Sequence, residues 1–298
     1  MMARKLSIGH EKLCDCKPSH INCMTAKEWI KAQIGVWEFF YESRDIRDKN
    51  IHPAVFPIGM AKKAVELFTH EGELVLDPFV GVGTTLVAAR ELKRNAVGFD
   101  LNPKYIKVSK ERLAQNTSTG DTQQIAIADD ARNIDQYLEP ETIKLVFTSP
   151  PYANLLNRPR LNKSRRGDLR RNKQFLRVEQ YSQDPRDLGT LEIEGYAKAI
   201  TEIYKKVLPL MKPKAHNVIN VPDMWWRDVK YGRRIPIHIY VYHAMLDAGF
   251  ELRNTIIWNR NNLVNRIGIF GWPSNYITMG TTFEYLLDFW KPPASNDR

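Results

Sequence analysis

The sequence predicts an α/β protein with a mostly parallel sheet and helices on both faces of that sheet. Two observations carry this prediction. From Ile51 onward, short apolar segments with strand character alternate with segments of helical periodicity, a pattern that favours parallel strands joined by crossing helices. Two of the apolar segments also end abruptly, one in a glycine turn and one in a pair of prolines.

The predicted elements follow in a regular order. Residues 1–50 form a polar, partly helical lead-in, in which Thr25 is a typical cap before an apolar-periodic stretch. The main domain covers residues 51–291, with a tail at 292–298. Seven strands are predicted, at Glu73–Phe79, Asn95–Leu101, Gln124–Asp130, Lys144–Tyr152, His216–Asp223, Asn254–Arg260 and Phe283–Lys291. Helices are predicted at Ala61–His70, Gly83–Asn95, Pro103–Leu113, Glu194–Met211 and Ile235–Phe250.

The charge distribution suggests a polyanionic partner. The chain carries 44 lysines and arginines against 34 acids, for a net charge of +10. Most of this excess lies between Asn157 and Arg177, in an insertion of about residues 153–190, where nine basic residues accompany only Asp168. This segment is open to two interpretations, a solvated loop and a nucleic-acid contact.

No apolar run approaches the roughly 20 residues that a membrane helix needs. The N-terminus also lacks the apolar core of a secretory signal. We therefore expect a cytoplasmic protein without a membrane partner.

The three cysteines are clustered near the N-terminus. Cys14, Cys16 and Cys23 form, with His20, the pattern C-x-C-x3-H-x2-C, which has four potential zinc ligands. The spacing matches no common zinc finger, and an odd number of cysteines does not indicate a disulfide framework. We expect free thiols and no metal, with a zinc knot as the alternative.

The segment DPFVGVGTT runs from Asp77 to Thr85, between a predicted strand and a helix. Gly81 and Gly83 allow the backbone to approach a ligand closely, and the start of the helix offers unpaired N–H groups. The dinucleotide pattern G-x-G-x-x-G is not completed, because position 86 is Leu86. A nicotinamide dehydrogenase is therefore disfavoured.

Acidic residues end the next two predicted strands. Asp100 is favoured as a ligand of ribose hydroxyls, although it could instead cap the following helix. Asp129 and Asp130 end the third strand, and one of them could accept a hydrogen bond from an adenine amino group.

The segment TSPPY, Thr148 to Tyr152, gives the sharpest signal. Two prolines cannot continue a central strand, so the chain turns outward at the carboxyl edge of the sheet, where doubly wound folds bind ligands. Alone, this segment is equally typical of an ordinary strand-ending turn.

DPFVGVGTT, GFDLNPKY and TSPPY together resemble the DNA amino-methyltransferases, which act on N4 of cytosine or N6 of adenine. The resemblance is good over about residues 50–155 and looser over 190–291. It implies a Rossmann-like, seven-stranded methyltransferase sheet and S-adenosylmethionine as cofactor. It also implies double-stranded DNA as substrate and a cognate restriction endonuclease as a candidate partner.

The resemblance also implies the site residues. The cofactor would be bound by Pro53, Phe56, Pro57, Asp77, Phe79, Gly81, Gly83, Thr84, Asp100, Asp130 and Thr148. The catalytic residues would be Ser149, Pro150, Pro151 and Tyr152. The basic charge of the insertion, rather than the resemblance, suggests the DNA-binding residues, namely Arg158, Arg160, Lys163, Arg165, Arg166, Arg170 and Arg171.

TSPPY in this family is mostly found with cytosine N4 as the target, so we expect N4-cytosine methylation. The alternatives are N6-adenine methylation, methylation of an amino group in RNA and, in a different class, a catalytically silent nucleic-acid-binding subunit. The target base would leave the stacked duplex, because its amino group is inaccessible there.

Overall fold

A computed structural model describes residues 5–45, 55–115, 121–154, 184–226, 233–263 and 279–293. The strands are β1 (Val36–Glu38), β2 (Leu74–Asp77), β3 (Asn95–Asp100), β4 (Gln124–Ala128), β5 (Ile143–Thr148), β6 (Met211–Val221), β7 (Met224–Trp226), β8 (Arg233–Ile235), β9 (Glu251–Asn259) and β10 (Phe283–Trp290). The α-helices are α1 (Ala26–Ala32), α2 (Ile58–Phe68), α3 (Thr84–Glu91), α4 (Pro103–Ala114), α5 (Ile193–Leu210) and α6 (Ile237–Asp247). Three 3-10 helices lie at Ala131–Gln136, Leu188–Thr190 and Asn261–Leu263.

Eight strands form one sheet in the order β1-β9-β10-β6-β5-β2-β3-β4. β10 is antiparallel to both of its neighbours, and the remaining pairs are parallel. The chain winds from β2 to β4 in one direction and then returns to place β5 on the other side of β2. The carboxyl ends of β2 and β5 therefore flank a topological switch point, where open α/β sheets leave a crevice for ligands.

Both faces of the sheet are covered by apolar side chains. Leu74, Leu76 and Val97 belong to the core beneath α5 and α6, whereas Val75 and Leu145 belong to the core beneath α2 and α3. β2 is buried along its whole length, as expected for a central parallel strand that has helices on both sides. This two-sided burial explains why the central strands are apolar runs rather than alternating ones.

The predicted class, an α/β fold with a mostly parallel sheet and helices on both faces, is confirmed, with eight strands rather than seven. The additional strand, β1, lies in the predicted lead-in and pairs in parallel with β9, where Trp37 stands opposite Trp258. With three residues, β1 is too short to produce a recognisable alternation. The helix cap predicted at Thr25 is present, and it forms a capping box, because its side chain and that of Glu28 each accept from the other's backbone.

In the part of the chain that the structure describes, no helix combines the length and the apolar character needed to cross a bilayer.

Candidate active site

The glycine turn after β2 brings the backbone close to its neighbours. Gly83 has a φ of 86°, and a Cβ at this position would lie 2.2 Å from the Oγ of Ser109. Gly81 has a φ of 50°, and its N–H donates to the carboxylate of Asp100 over 3.1 Å. Glycine is therefore required at position 83 for two reasons, left-handed backbone and lack of space.

Asp77 is a buried residue that connects the segments around the glycine turn. Its carboxylate accepts hydrogen bonds from the hydroxyls of Thr85 and Thr148, both at 2.6 Å, and from the N–H of Phe79 at 3.1 Å. Burial raises the pKa of Asp77 to about 6, although the three donors act in the opposite direction. The residue ties the ends of β2 and β5 to the start of α3.

Asp100 stands at the carboxyl end of β3, on the rim of the crevice. It accepts from the backbone N–H groups of Gly81 and Asn102. Burial raises its pKa to about 7, and the nearby charge of Asp187 adds to the shift. The side chain that caps α4 is that of Asn102, which accepts from the N–H of Lys104, so Asp100 does not serve as this helix cap.

The turn after β5 carries a hydrogen-bonded pair, because the hydroxyls of Ser149 and Tyr152 lie 2.5 Å apart. The side-chain amide of Asn220, on β6, lies 3.4 Å from the Ser149 hydroxyl and 3.3 Å from that of Tyr152. The same amide donates to Glu284 at 2.7 Å, and Arg260 donates to the other carboxylate oxygen. A network of side chains on β6, on β10 and directly after β9 therefore holds the turn in place.

A cleft of about 610 Å³ opens between these segments. It is lined by Pro78, Phe79, Asp100, Leu101, Tyr105, Asp129, Asp130, Ala131, Ser149, Pro151, Asp187 and Leu188. The ends of β2, β3, β4 and β5 thus contribute to one site.

The predicted site residues fall into three groups. The cleft brings together Phe79, Asp100, Asp130, Ser149 and Pro151. Asp77, Thr84 and Thr148 are buried behind the cleft wall, and Gly81 and Gly83 form the turn that adjoins it. Tyr152 reaches the site through its bond to Ser149, while Pro150 is buried.

Phe56 and Pro57 lie directly before α2. The ring centroids of Phe56 and Phe147 are 5.4 Å apart, in an edge-to-face arrangement. Some predicted residues lie outside the described part of the chain, namely Pro53, Arg158, Arg160, Lys163, Arg165, Arg166, Arg170 and Arg171.

Two buried polar residues that support the turn after β5 were not predicted from the sequence. Asn220 is 1% exposed and Glu284 is 6% exposed, although both lie in apolar strands. A polar residue inside such a strand is the signal that could have identified them, because buried polar groups need partners. Asp187 was also missed; it lines the cleft, accepts from the N–H of Gly189, and has a pKa raised by burial.

Comparison with known proteins gives consistent matches. A family model described as DNA methylase matches residues 12–111 and 143–297. The type II methyltransferase M.HpaI of Haemophilus parainfluenzae is 37% identical over 78 residues, which are 26% of this chain and 25% of that protein. The type II methyltransferase M.BglI of Bacillus subtilis is 36% identical over 93 residues, which are 31% of this chain and 26% of that protein. The chain thus spans about a quarter of the length of these relatives.

Among solved structures, that of TrmN from Thermus thermophilus aligns with a TM-score of 0.49 at 18% identity, over 84% of this chain and 53% of that one.

Proposed function

This chain belongs to the DNA methylase family, and from this premise we propose that it transfers a methyl group from S-adenosylmethionine to the N4 amino group of cytosine in double-stranded DNA. The observation that carries the proposal is the cleft in which Asp100 and Ser149 face one space. An acid suited to ribose hydroxyls and a hydroxyl suited to an amino group are thereby brought to one site.

The chemistry of the cleft fits S-adenosylmethionine. Asp100 would accept hydrogen bonds from the ribose hydroxyls, and the ring of Phe79 offers an apolar wall. Asp130 also faces the cleft, where Arg132 binds its carboxylate at 3.0 Å. Asp129, whose carboxylate accepts from Tyr137 and Asn133, is the second candidate for the adenine amino group. When bound, S-adenosylmethionine supplies an electrophilic methyl group on a positively charged sulfur.

The target amino group is a poor nucleophile, because its lone pair is delocalised into the base. We assign Ser149 and the carbonyl of Pro150 as acceptors for its protons, which favours a pyramidal nitrogen with an available lone pair. Asn220 would orient the Ser149 hydroxyl through the 3.4 Å contact. The contribution of these residues is positioning and electrostatic preorganisation.

Tyr152 would stack on the base once it has left the duplex, at a gain of about 1–3 kcal/mol. The basic residues between Arg158 and Arg171 would neutralise phosphates, which predicts an affinity for DNA that falls steeply with salt. A cognate restriction endonuclease is part of the same proposal, since both relatives described above are type II methyltransferases.

The test is transfer of a labelled methyl group from S-adenosylmethionine to mixed-sequence duplex DNA, followed by mass spectrometry of the nucleosides. N4-methylcytosine is the expected product. N6-methyladenine would overturn the choice of base, and unmethylated DNA would favour the silent binding subunit. Ser149→Ala should lose turnover while it retains the cofactor, whereas Ser7→Ala, at an exposed serine outside the cleft, should behave as wild type.

A further inference from the structure

The N-terminal cysteines meet a histidine that lies far from them in the sequence. Cys14, Cys16, Cys23 and His70 bring their ligand atoms within 4.8 Å of one another. His20, the histidine that the sequence pattern suggests, does not belong to this group. We propose that these four residues form a structural zinc site.

The separations between the donor atoms fit one tetrahedral ion. The sulfur of Cys14 lies 3.3 Å from that of Cys16 and 3.5 Å from that of Cys23. The Nδ1 of His70 lies 3.4 Å from the Cys14 sulfur and 3.7 Å from the Cys23 sulfur. A zinc ion with Zn–S bonds of about 2.3 Å and a Zn–N bond of about 2.0 Å spaces its sulfurs about 3.8 Å apart, and a sulfur and a nitrogen about 3.5 Å apart.

The chemistry of the donors points to zinc. Three thiolates and one imidazole are a common set for structural zinc, and four protein ligands close the coordination sphere. The sulfurs are too far apart for a disulfide, which needs about 2.05 Å, and all three cysteines are free. A hydrogen bond of 3.3 Å from the backbone N–H of Glu71 to the sulfur of Cys23 supplies the outer support that metal ligands usually have.

The surrounding turn is shaped for close approach of the N-terminal segment. Gly72 has a φ of 86°, and a Cβ there would lie 2.4 Å from the Cγ of Leu13 and 2.5 Å from the carbonyl oxygen of Glu11. The N–H of Leu13 donates to the carbonyl of Glu71 at 2.8 Å. The backbone therefore brings the cysteine segment onto the turn independently of any side-chain ligand.

The position of the site indicates its role. His70 lies in the turn that leads into β2, at the amino ends of the parallel strands, whereas the candidate active site lies at their carboxyl ends. The ion would thus be remote from the methyl-transfer chemistry. It would fasten the segment that contains Cys14, Cys16 and Cys23 to the turn between α2 and β2.

The experiment is zinc analysis by mass spectrometry of the full chain, purified without a histidine tag and without chelator. Wild type should hold one zinc ion per chain. His70→Gln and Cys16→Ser should lose it, and the matched control His20→Gln should retain it. Retention by His70→Gln together with loss by His20→Gln would overturn the proposal, as would iron in place of zinc.

A second measurement uses wild type alone and so does not depend on whether the variants fold. Because the chain has three cysteines, all within the proposed site, a mercurial reagent reports on this site only. Its addition should release zinc to a colorimetric indicator in step with the loss of three thiols, and the N-terminal segment should then become sensitive to protease. Rapid thiol modification without zinc release would contradict the site.

Discussion

Thr148 donates a hydrogen bond of 2.6 Å to the carboxylate of Asp77, which joins the carboxyl ends of two adjacent parallel strands. Both residues are buried. Through this bond, the position of the turn that contains Ser149 depends on the position of the glycine turn that follows Asp77. The two halves of the candidate site are therefore mechanically coupled.

Thr148→Val should break this coupling without a large change in volume. The carboxylate of Asp77 then loses one of its donors while it stays buried, which costs about 1–3 kcal/mol of unfolding free energy. Urea unfolding measures this loss, and cofactor titration should show weaker binding. Thr142→Val is the matched control, because its hydroxyl bonds to the carbonyl of Glu139 at the amino end of β5. It should leave cofactor affinity unchanged; equal losses of affinity in both variants would contradict the coupling.

Much of the fold could be predicted because the central strands are apolar runs separated by helical periodicity. β2, β3 and β5 are buried on both faces, so each of them is recognisable in the sequence as a run of consecutive apolar residues. β1 could not be predicted in this way. Only Trp37 in its three residues is buried, and its pairing with β9 is a contact across more than 200 residues of sequence.

The residues of the candidate site could be predicted where sequence motifs lie at strand ends. Residues that reach the site only through tertiary contacts could not be predicted in this way. Asp100 ends β3 and Ser149 follows β5, so the topology brings them together at the carboxyl edge of the sheet. Asn220 and Glu284 support the site from strands that are distant in the sequence. The proximity of His70 to the three cysteines could not be predicted for a related reason, because the spacing in the sequence favours His20 whereas the fold brings His70 to them.

Gly83→Ala should destabilise the protein by about 1–3 kcal/mol, because the residue has a φ of 86° and its new Cβ would clash with Ser109. The double variant Gly83→Ala, Ser109→Ala should recover only part of this loss, since the backbone strain persists. Thermal unfolding of the single and double variants separates the two contributions.

Gly195→Ala provides the control for Gly83→Ala. This glycine lies within α5, where a Cβ would come no nearer than 3.9 Å to the Leu191 side chain, and alanine there should stabilise the helix by about 0.5–1 kcal/mol. Equal destabilisation by both substitutions would show that the left-handed backbone at Gly83 is not the cause of the loss.

Cofactor affinity should rise with pH through about 7. Burial raises the pKa of Asp100 above its ordinary value, so the carboxyl is largely protonated at pH 6 and ionised at pH 8. The ionised form accepts two hydrogen bonds from ribose hydroxyls, so the dissociation constant should fall by up to about tenfold per pH unit below the pKa and then level off.

Calorimetric titration of S-adenosylmethionine at several pH values measures this dependence. Asp100→Asn should bind more weakly and lose the dependence, while any titration of the cofactor's own amino group contributes equally to both proteins. The role assigned to Asp100 fails if the two affinity profiles are parallel.

Asn220→Ala should lower the turnover of methyl transfer by about 10- to 100-fold, because the hydroxyls of Ser149 and Tyr152 lose the amide that holds them. The cofactor's dissociation constant should stay unchanged, since the lining of the cleft does not include Asn220. Asn254→Ala, which removes a 2.6 Å bond to Asp288 on the neighbouring strands, is the control for a general loss of sheet stability. If both variants reduce turnover in proportion to their melting temperatures, Asn220 supports the fold rather than the position of Ser149. A loss confined to Asn220→Ala, at normal cofactor affinity, identifies it as the positioning residue.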